Sequence, residues 1–243
     1  MASSRLPRKV LLPIVGKPML ALQIERIRQS RLIDRIIVAT SESPLDDPIE
    51  SLARELGVEC FRGSEVDVLG RVVAALRAFQ VETHVEFHGD SPMPDALLVD
   101  SIVGFYLKHS AQYDFVSNAL TTTYPAGAEV AVYPASVLFD AERQADPDLR
   151  EHVSLHIYRR PDRFRLCNLE APLWLHAPDV YLEVDTPVDF EVVSAVFEHF
   201  YPQNPGFTLS EAIRFCHSRG LDTLNRDVER RWKALLPETS DAV

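Results

Sequence analysis

Residues 35–57, RIIVATSESPLDDPIESLARELG, contain one complete unit of the fold. The β-branched run RIIVAT at 35–40 is typical of a buried strand, and the turn residues SESP at 41–44 end it. Apolar residues then recur at helical spacing: Ile49, Leu52, Ala53 and Leu56. Gly57 favours the end of that helix. The stretch therefore predicts a strand followed by a helix.

The same unit repeats along the following residues. Strand-like runs at 58–61 (VECF) and 83–89 (THVEFHG) alternate with helix-like runs at 66–79 (VDVLGRVVAALRAF) and 95–110 (DALLVDSIVGFYLKHS). Strands that alternate with helices predict an α/β fold, with a doubly wound, mainly parallel, Rossmann-like sheet and helices on both faces. Ligands on such sheets bind beyond the carboxyl ends of the strands.

The second half of the chain departs from this rhythm. Between about residues 114 and 170, strand-like runs and a short helix alternate with loops rich in Pro, Thr and Tyr. We interpret residues 1–243 as a single domain with a small α+β insert at 114–170. The strand-helix pattern returns with VYLEVDTP at 180–187 and the helix after it, and two further helices are expected from residues 208 and 224 onward.

The composition limits the classes of function. A net charge of −11 would repel a polyphosphate backbone, so no nucleic-acid partner is expected. No apolar run approaches a membrane span and the first residues lack a secretion signal, so we expect a cytoplasmic protein without a membrane partner. Cys60, Cys167 and Cys216 lie far apart without metal-binding spacing, which predicts reduced thiols.

The stretch SSRLPRK at residues 3–9 is basic although the chain is acidic. Two hydroxyls, the forked guanidinium of Arg5 and the point charge of Lys9 together suit a triphosphate. Solvated basic residues near a terminus are also common. On these residues alone both interpretations stay open.

Two single acids follow predicted strands. Asp90 comes after THVEFHG and Asp185 after VYLEV, so both fall at the carboxyl edge of the sheet. Asp90 is also a routine turn residue, whereas Thr186 as N-cap and Pro187 at the first helical position leave Asp185 unexplained. Mg²⁺ typically takes one or two protein carboxylates, so these two acids can share one ion.

These elements, in this order, resemble the cytidylyltransferases that make CMP-activated sugars. Among them are the CMP-Kdo and CMP-sialic acid synthetases and, above all, relatives named for spore-coat polysaccharide synthesis. The matching segments are SSRLPRKVLLPIVGKPML, ATSESPLDDPI, FRGSEVDVLGR, GDSPMPD, TYPAGAEV, REHVSLHIYRR and VDTPVDFE. The resemblance implies a nucleotidyltransferase domain that transfers CMP from CTP to an acidic sugar and releases pyrophosphate.

The resemblance also implies roles for individual residues. Those expected to bind the nucleotide are Ser4, Arg5, Lys9, Ser41 and Gly89. Those expected to act in catalysis are Lys9, Asp90 and Asp185, the two acids as Mg²⁺ ligands. Those expected to bind the sugar acid are Glu129, Arg150, His152 and Arg159. His152 could equally be a helix residue packed under the insert. A homodimer is expected through the insert and the apolar stretch at 169–182, although Trp174 could equally pack inside its own subunit.

The chain also departs from the family pattern. A hydrophobic central strand and an Ala-Arg pair normally precede the serines, and here neither precedes Ser3. We therefore expect the first strand of the family fold to be missing, with the start set at an internal methionine. Ala126 stands where an acid is common and Glu129 replaces a shorter acid, which predicts altered substrate choice.

Two other functions stay open. One is a truncated, non-catalytic paralogue that binds nucleotide or scaffolds a partner. The other is a glycosyltransferase that uses a nucleotide-sugar, although no Asp-x-Asp pair stands at a suitable strand end.

Overall fold

The computed structural model describes residues 5–230 and 232–233. A basic loop with a 3-10 helix at Lys9–Leu11 leads into strands β1 (Pro13–Ile14) and β2 (Lys17–Pro18). These two strands pair antiparallel across a tight turn at Val15 and Gly16, both of which have positive φ. Helix α1 follows at Met19–Ile27.

The other elements follow in alternation. The strands are β3 (Ile37–Ser41), β4 (Glu59–Gly63), β5 (Thr83–Glu86), β6 (Phe115–Ser117), β7 (Ala131–Pro134) and β8 (Leu166–Asn168). The helices are α2 (Asp47–Glu55), α3 (Val68–Ala78), α4 (Ala96–His109), α5 (Ala135–Glu142), α6 (Leu155–Tyr158), α7 (Pro187–Phe200) and α8 (Leu209–Arg219). The alternation predicted for residues 35–110 is confirmed. Within the described ranges no helix is both long and apolar enough to cross a membrane.

The strands form a mixed sheet system. β3 and β4 pair in parallel, and a four-stranded sheet has the order β5-β7-β6-β8. β7 runs antiparallel to both of its neighbours because no crossover helix separates it from β6. The predicted α/β class is confirmed, with a sheet more mixed than expected. Residues 114–170 supply three strands of the four-stranded sheet, β6, β7 and β8. That the chain lacks the first strand of the family fold stays a prediction.

Helices cover both faces of the larger sheet. Val116 and Val132 belong to the hydrophobic core that includes residues of α4 and α7. Their chain neighbours Phe115 and Tyr133 belong to a second core that includes residues of α3 and α5. Because successive side chains of a strand point to opposite faces, β6 and β7 divide the domain into two packed layers.

The helix termini are set by local side-chain bonds. Thr186 caps α7 in a reciprocal capping box with Asp189, and Pro187 takes the first helical position, as predicted. The helix expected from residue 224 onward is wrong for residues 224–230, which form turns. There the side chains of Asn225 and Arg230 donate hydrogen bonds to the Asp189 carboxylate on α7. These bonds hold the segment in a non-helical conformation.

Candidate active site

The basic loop is anchored from inside the protein. Val10 and Leu11 pack against the hydrophobic cluster that contains Leu20 and Ile24 of α1. Arg8 adopts a left-handed conformation with φ of 60°, which reverses the backbone just before the 3-10 helix. The predicted nucleotide residue Ser4 lies outside the described residues.

The main chain brings the two strand-end acids together. The predicted strand at 180–187 is an extended segment with one isolated bridge, between Ala126 and Tyr181. Just beyond it, the Val184 amide donates a hydrogen bond to the Asp90 carbonyl at 2.8 Å. A backbone hydrogen bond therefore joins the turns that carry Asp90 and Asp185.

Lys9 lies between the two carboxylates. Its Nζ donates to Oδ2 of Asp90 and to Oδ1 of Asp185, at 2.9 Å in each case. The Arg5 guanidinium donates to the other oxygen of Asp185 at 2.5 Å. Because the Asp90 and Asp185 oxygens accept from the same Nζ atom, they can be no farther apart than the sum of the two 2.9 Å distances. We call Arg5, Lys9, Asp90 and Asp185 the charge cluster.

The charge cluster shifts the pKa values of its members. Burial lowers the pKa of Lys9, but the carboxylates of Asp90 and Asp185 outweigh burial and raise it above its ordinary value. Burial raises the pKa of Asp90, and the positive charges of Lys9 and His88 outweigh that effect and lower it. Both groups therefore carry charge at neutral pH, as a site for ionic ligands requires.

Sequence reasoning missed a carboxylate-histidine pair beside Asp90. Glu86 lies 3.3 Å from Nε2 of His88 and accepts hydrogen bonds from the hydroxyls of Tyr133 and Ser154. Burial lowers the pKa of His88, but the charges of Glu86 and Asp90 outweigh it and raise the pKa. Because 61% of the His88 side chain is exposed, water screens this attraction.

Two glutamates complete the acidic surroundings of Asp90. The predicted residue Glu129 accepts the Gly127 amide on both carboxylate oxygens, at 3.0 and 2.9 Å. Glu183, which sequence reasoning missed, accepts Nε1 of Trp232 at 2.7 Å. Burial and the charge of Glu129 raise the pKa of Glu183 to about 7. Glu183 therefore titrates near neutral pH, whereas Asp90 is ionised there.

A periodicity of two could have found the missed residues. Glu86 and His88 precede Asp90 by four and two positions, and Glu183 precedes Asp185 by two. On an extended segment, residues two apart point to the same side. The alternation in VEFHGD therefore places Glu86 and His88 on one side of the chain, just before the turn that carries Asp90, and Glu183 stands just before the bend that carries Asp185.

The predicted nucleotide residues Ser41 and Gly89 have different surroundings. Ser41 is buried, and its hydroxyl and amide donate to Asp46 at 2.7 and 3.1 Å, so it shapes the turn after β3. Gly89 is exposed, and an added Cβ would meet only Val10, at 3.7 Å. Among residues 5–230 and 232–233 no neighbour requires glycine there, and the space next to Gly89 left by these residues suits a ligand.

The predicted sugar-binding residues on the 150–159 stretch separate into two groups. Arg150 forms a bidentate pair with Asp67, 2.9 Å for each bond, and also contacts Glu142 at 2.9 Å. Its guanidinium therefore joins the N-cap residue of α3 to α5, and its role in binding the sugar acid stays a prediction. His152 is half-buried, and burial lowers its pKa, so it is neutral at pH 7. Arg159 is exposed at the end of α6.

Comparisons with known proteins agree with the resemblance seen in the sequence. The family described as Cytidylyltransferase matches residues 1–219. The spore coat polysaccharide biosynthesis protein SpsF of Bacillus subtilis is 34% identical over 219 residues, 88% of this chain and 89% of that protein. An 8-amino-3,8-dideoxy-manno-octulosonate cytidylyltransferase of Shewanella frigidimarina is 28% identical over 116 residues, 47% of each chain.

A solved structure shares the fold. The structure of a cytidylyltransferase from Leptospira borgpetersenii superposes with a TM-score of 0.87 over 95% of each chain, at 24% sequence identity. The family match covers most of the chain, and the SpsF relative covers nearly all of it at more than 30% identity. The chain therefore belongs to the cytidylyltransferase family of CTP-dependent nucleotidyltransferases.

Proposed function

We propose that this cytidylyltransferase transfers CMP from CTP to a hydroxyl group of an acidic sugar and releases pyrophosphate. We further propose that Asp90 and Asp185 hold a catalytic Mg²⁺ ion and that Arg5 and Lys9 bind the phosphates of CTP. One observation carries the proposal: both carboxylates converge on a single cationic nitrogen, Lys9 Nζ.

The residues of the charge cluster fit a magnesium-nucleotide complex. Mg²⁺ in nucleotide sites is held by one or two carboxylates and completes its shell with phosphate oxygens and water. Asp90 and Asp185 supply two such carboxylates around one point that already holds a positive charge. Within residues 5–230 and 232–233, no group of three or more His, Cys, Asp or Glu residues forms a cage made by protein alone. The donor set suits Mg²⁺ that arrives with CTP.

The protein residues contribute charge and position to the reaction. The sugar hydroxyl releases its proton to water, its oxygen forms a bond to the α-phosphorus of CTP, and the bond from that phosphorus to the pyrophosphate oxygen breaks. Arg5 can donate two hydrogen bonds to two phosphate oxygens. Lys9 can stabilise the negative charge that develops on the leaving pyrophosphate. Bound Mg²⁺ would neutralise charge at the α-phosphate and lower the pKa of the attacking hydroxyl. Catalysis then comes from orientation and electrostatics.

The acidic nature of the acceptor is supported by an exposed arginine on the 150–159 stretch. Arg159 is exposed at the end of α6, on the stretch that the family resemblance assigns to the sugar acid, and its guanidinium suits a carboxylate. The Shewanella relative is named for an octulosonate, a sugar that carries a carboxylate. We therefore propose a sugar acid as acceptor, bound by Arg159.

A pyrophosphate-release screen tests the proposed reaction. The purified chain is incubated with CTP, Mg²⁺ and a panel of sugar acids, and each acid is paired with its neutral methyl ester. Pyrophosphate should appear with CTP and an acid, and not with ATP, with the ester or with EDTA. Turnover of the ester and the acid at equal rates would refute the acidic acceptor. CTP binding without pyrophosphate release for any acceptor would favour the non-catalytic paralogue.

Replacing Lys9 with methionine should separate its two roles. Loss of the ammonium removes a phosphate contact, so the KM for CTP should rise and turnover should fall about 100-fold. The same change removes the cation shared by Asp90 and Asp185 and leaves Asp185 paired with Arg5, so divalent ions should bind more tightly without nucleotide. Isothermal titration with Mn²⁺ measures the second effect. Lys17→Met, which removes a half-exposed ammonium paired with Glu25, is the matched control.

Two arginine substitutions distinguish structure from substrate binding on the 150–159 stretch. Arg150→Gln should lower the free energy of unfolding by about 1–3 kcal/mol, because Asp67 and Glu142 lose charged hydrogen bonds, and should leave the acceptor KM unchanged. Arg159→Gln should raise the acceptor KM and leave the free energy of unfolding unchanged. Thermal unfolding and steady-state kinetics measure both. A raised acceptor KM in Arg150→Gln alone would reverse these assignments.

A homodimer is the assembly we propose for this enzyme. The stretch at 169–182 presents Leu173 and Trp174 to solvent, 93% and 71% exposed. Contiguous exposed apolar side chains are typical of protein interaction surfaces. Trp174 therefore does not pack inside its own subunit, and its exposure supports the predicted interface. Sedimentation velocity measures the assembly directly.

A further inference from the structure

The chain that follows the matched family region returns to the active site. The family match ends at residue 219, and residues 221–230 with 232–233 form what we call the C-terminal segment. Its Glu229 carbonyl accepts a hydrogen bond from Arg5 at 3.0 Å. Its Trp232 indole donates to Glu183 at 2.7 Å. The segment therefore contacts both the basic loop and the acidic segment beside Asp185.

Arg230 is the centre of these contacts. Its side chain is fully buried and its Nη2 donates to Oδ1 of Asp189 at 2.7 Å, and Asp189 is fully buried as well. Its Nη1 lies 3.3 Å from Glu183, and its guanidinium stacks over the ring of Tyr181 at 4.5 Å. A buried arginine with this many partners has its rotamer fixed by packing and charge together.

Asp189 transmits this contact to the charge cluster. While its Oδ1 accepts from Arg230, its Oδ2 accepts the backbone amide of Asp185 at 3.1 Å and the amide of Thr186 at 2.8 Å. One carboxylate thus joins the C-terminal segment to the turn that presents the Asp185 side chain. Without Arg230, Asp189 would be a buried carboxylate without its cation and would have to reorient or bind a proton.

We propose that Arg230 is a positioning residue, which orients the Asp185 carboxylate toward the metal-nucleotide complex by fixing Asp189. The inference rests on the proposed role of Asp185 as a ligand of the ion. Groups that orient metal ligands without touching the metal typically change affinity or activity by 10- to 100-fold when they are replaced. Arg230→Met should therefore weaken metal binding by about this factor, although Arg230 touches neither CTP nor Asp185 itself.

A second arginine of the same segment gives a matched control. Arg226 is half exposed and pairs with Asp222 at 3.1 Å and with Asp179 at 3.8 Å. Neither partner belongs to the charge cluster or bonds to the turn at Asp185. Like Arg230→Met, Arg226→Met therefore removes one arginine side chain and one positive charge from the C-terminal segment. It does so without removing a contact to Asp189.

The test measures Mn²⁺ binding in the presence of CTP, by the electron paramagnetic resonance signal of the free ion, on the full chain. Arg230→Met should bind Mn²⁺ 10- to 100-fold more weakly than the unchanged protein. Arg230→Lys keeps a positive charge near Asp189 but cannot reach Glu183 at the same time, so its affinity should fall between the two. Arg226→Met should match the unchanged protein. In turnover, Arg230→Met should need more Mg²⁺ while the acceptor KM stays the same.

The outcomes separate this inference from the proposed function. Unchanged Mn²⁺ affinity in a folded Arg230→Met protein would overturn the positioning role and leave the metal site standing. If Arg230→Met does not fold, Arg230→Lys decides, and an affinity equal to that of the unchanged protein would overturn the role. Absence of Mn²⁺ binding in the unchanged protein with CTP would overturn the proposed metal site and this inference together.

Discussion

Replacing Asp90 with alanine is expected to lower the turnover of CTP by about 1000-fold or more while the protein stays folded. Asp90 is one of the two carboxylates on Lys9, and the proposed Mg²⁺ site loses half of its protein ligands without it. The fold should tolerate the change because a third of the Asp90 side chain is already exposed and Lys9 keeps its bond to Asp185.

Steady-state pyrophosphate release measures the effect, and thermal unfolding checks the fold. Asp90→Asn keeps the size of the side chain and removes its charge, so it should lose nearly as much activity as Asp90→Ala. Asp148→Asn, an exposed acid at the start of a 3-10 helix, should leave turnover unchanged. Near-normal turnover in Asp90→Ala would refute the assignment of this carboxylate.

Replacing Asp189 with alanine should produce the largest loss of stability. The substitution leaves the Arg230 guanidinium buried without its closest counter-charge, which typically costs about 3–5 kcal/mol. For a domain of this size, the melting temperature should then fall by about 6–20 °C. Differential scanning calorimetry measures the change.

A partly exposed acid, Asp114, provides the comparison for Asp189. Asp114 forms bidentate bonds with Arg165, but both side chains remain partly in water. Asp114→Ala should therefore cost only about 1 kcal/mol or less. Equal destabilisation by the two substitutions would contradict the claim that burial of the Asp189 pair decides the size of the effect.

The stabilising effect of Asp189 should depend on pH in a defined direction. Burial raises the pKa of Asp189, but Arg230 and the Thr186 hydroxyl outweigh burial and lower it below the ordinary value of 3.8. A carboxylate whose pKa is lowered by folding stabilises the protein above its unfolded pKa, and this contribution is lost as the pH falls through the lower folded value. The difference in unfolding free energy between the unchanged protein and Asp189→Ala should therefore be constant at neutral pH and shrink below about pH 4.

The sequence predicted those parts of the site that depend on local order. Asp90 and Asp185 could be found because each follows a strand-like run of sequence, and the turns after such runs lie at the carboxyl edge of an α/β sheet. The capping box at Thr186 and the alternation of elements from residue 35 to 110 are local in the same sense. The convergence of both acids on Lys9 needed the structure, because chain distances of 81 and 176 residues separate these groups.

Other parts of the site could not be predicted because competing partners decide them. Arg150 stands in a stretch where a cation suits a sugar acid, and its ion pairs with Asp67 and Glu142 cannot be predicted from sequence spacing. Arg230 falls in a stretch whose apolar spacing favours a helix, but its pairing with buried Asp189 prevents one. Local propensity is weak compared with the burial of a charged pair, so sequence spacing alone gives the wrong conformation there.

The bond from the Val184 amide to the Asp90 carbonyl involves no side chain. The spacing of the turns that carry Asp90 and Asp185 therefore does not depend on the side chains at this hydrogen bond. We expect changes at Glu129, His152 or Arg159, which the resemblance assigns to the sugar, to leave this hydrogen bond intact. Enzymes with new acceptors should be obtainable from this scaffold by randomising those three positions, with CTP dependence retained in every active variant.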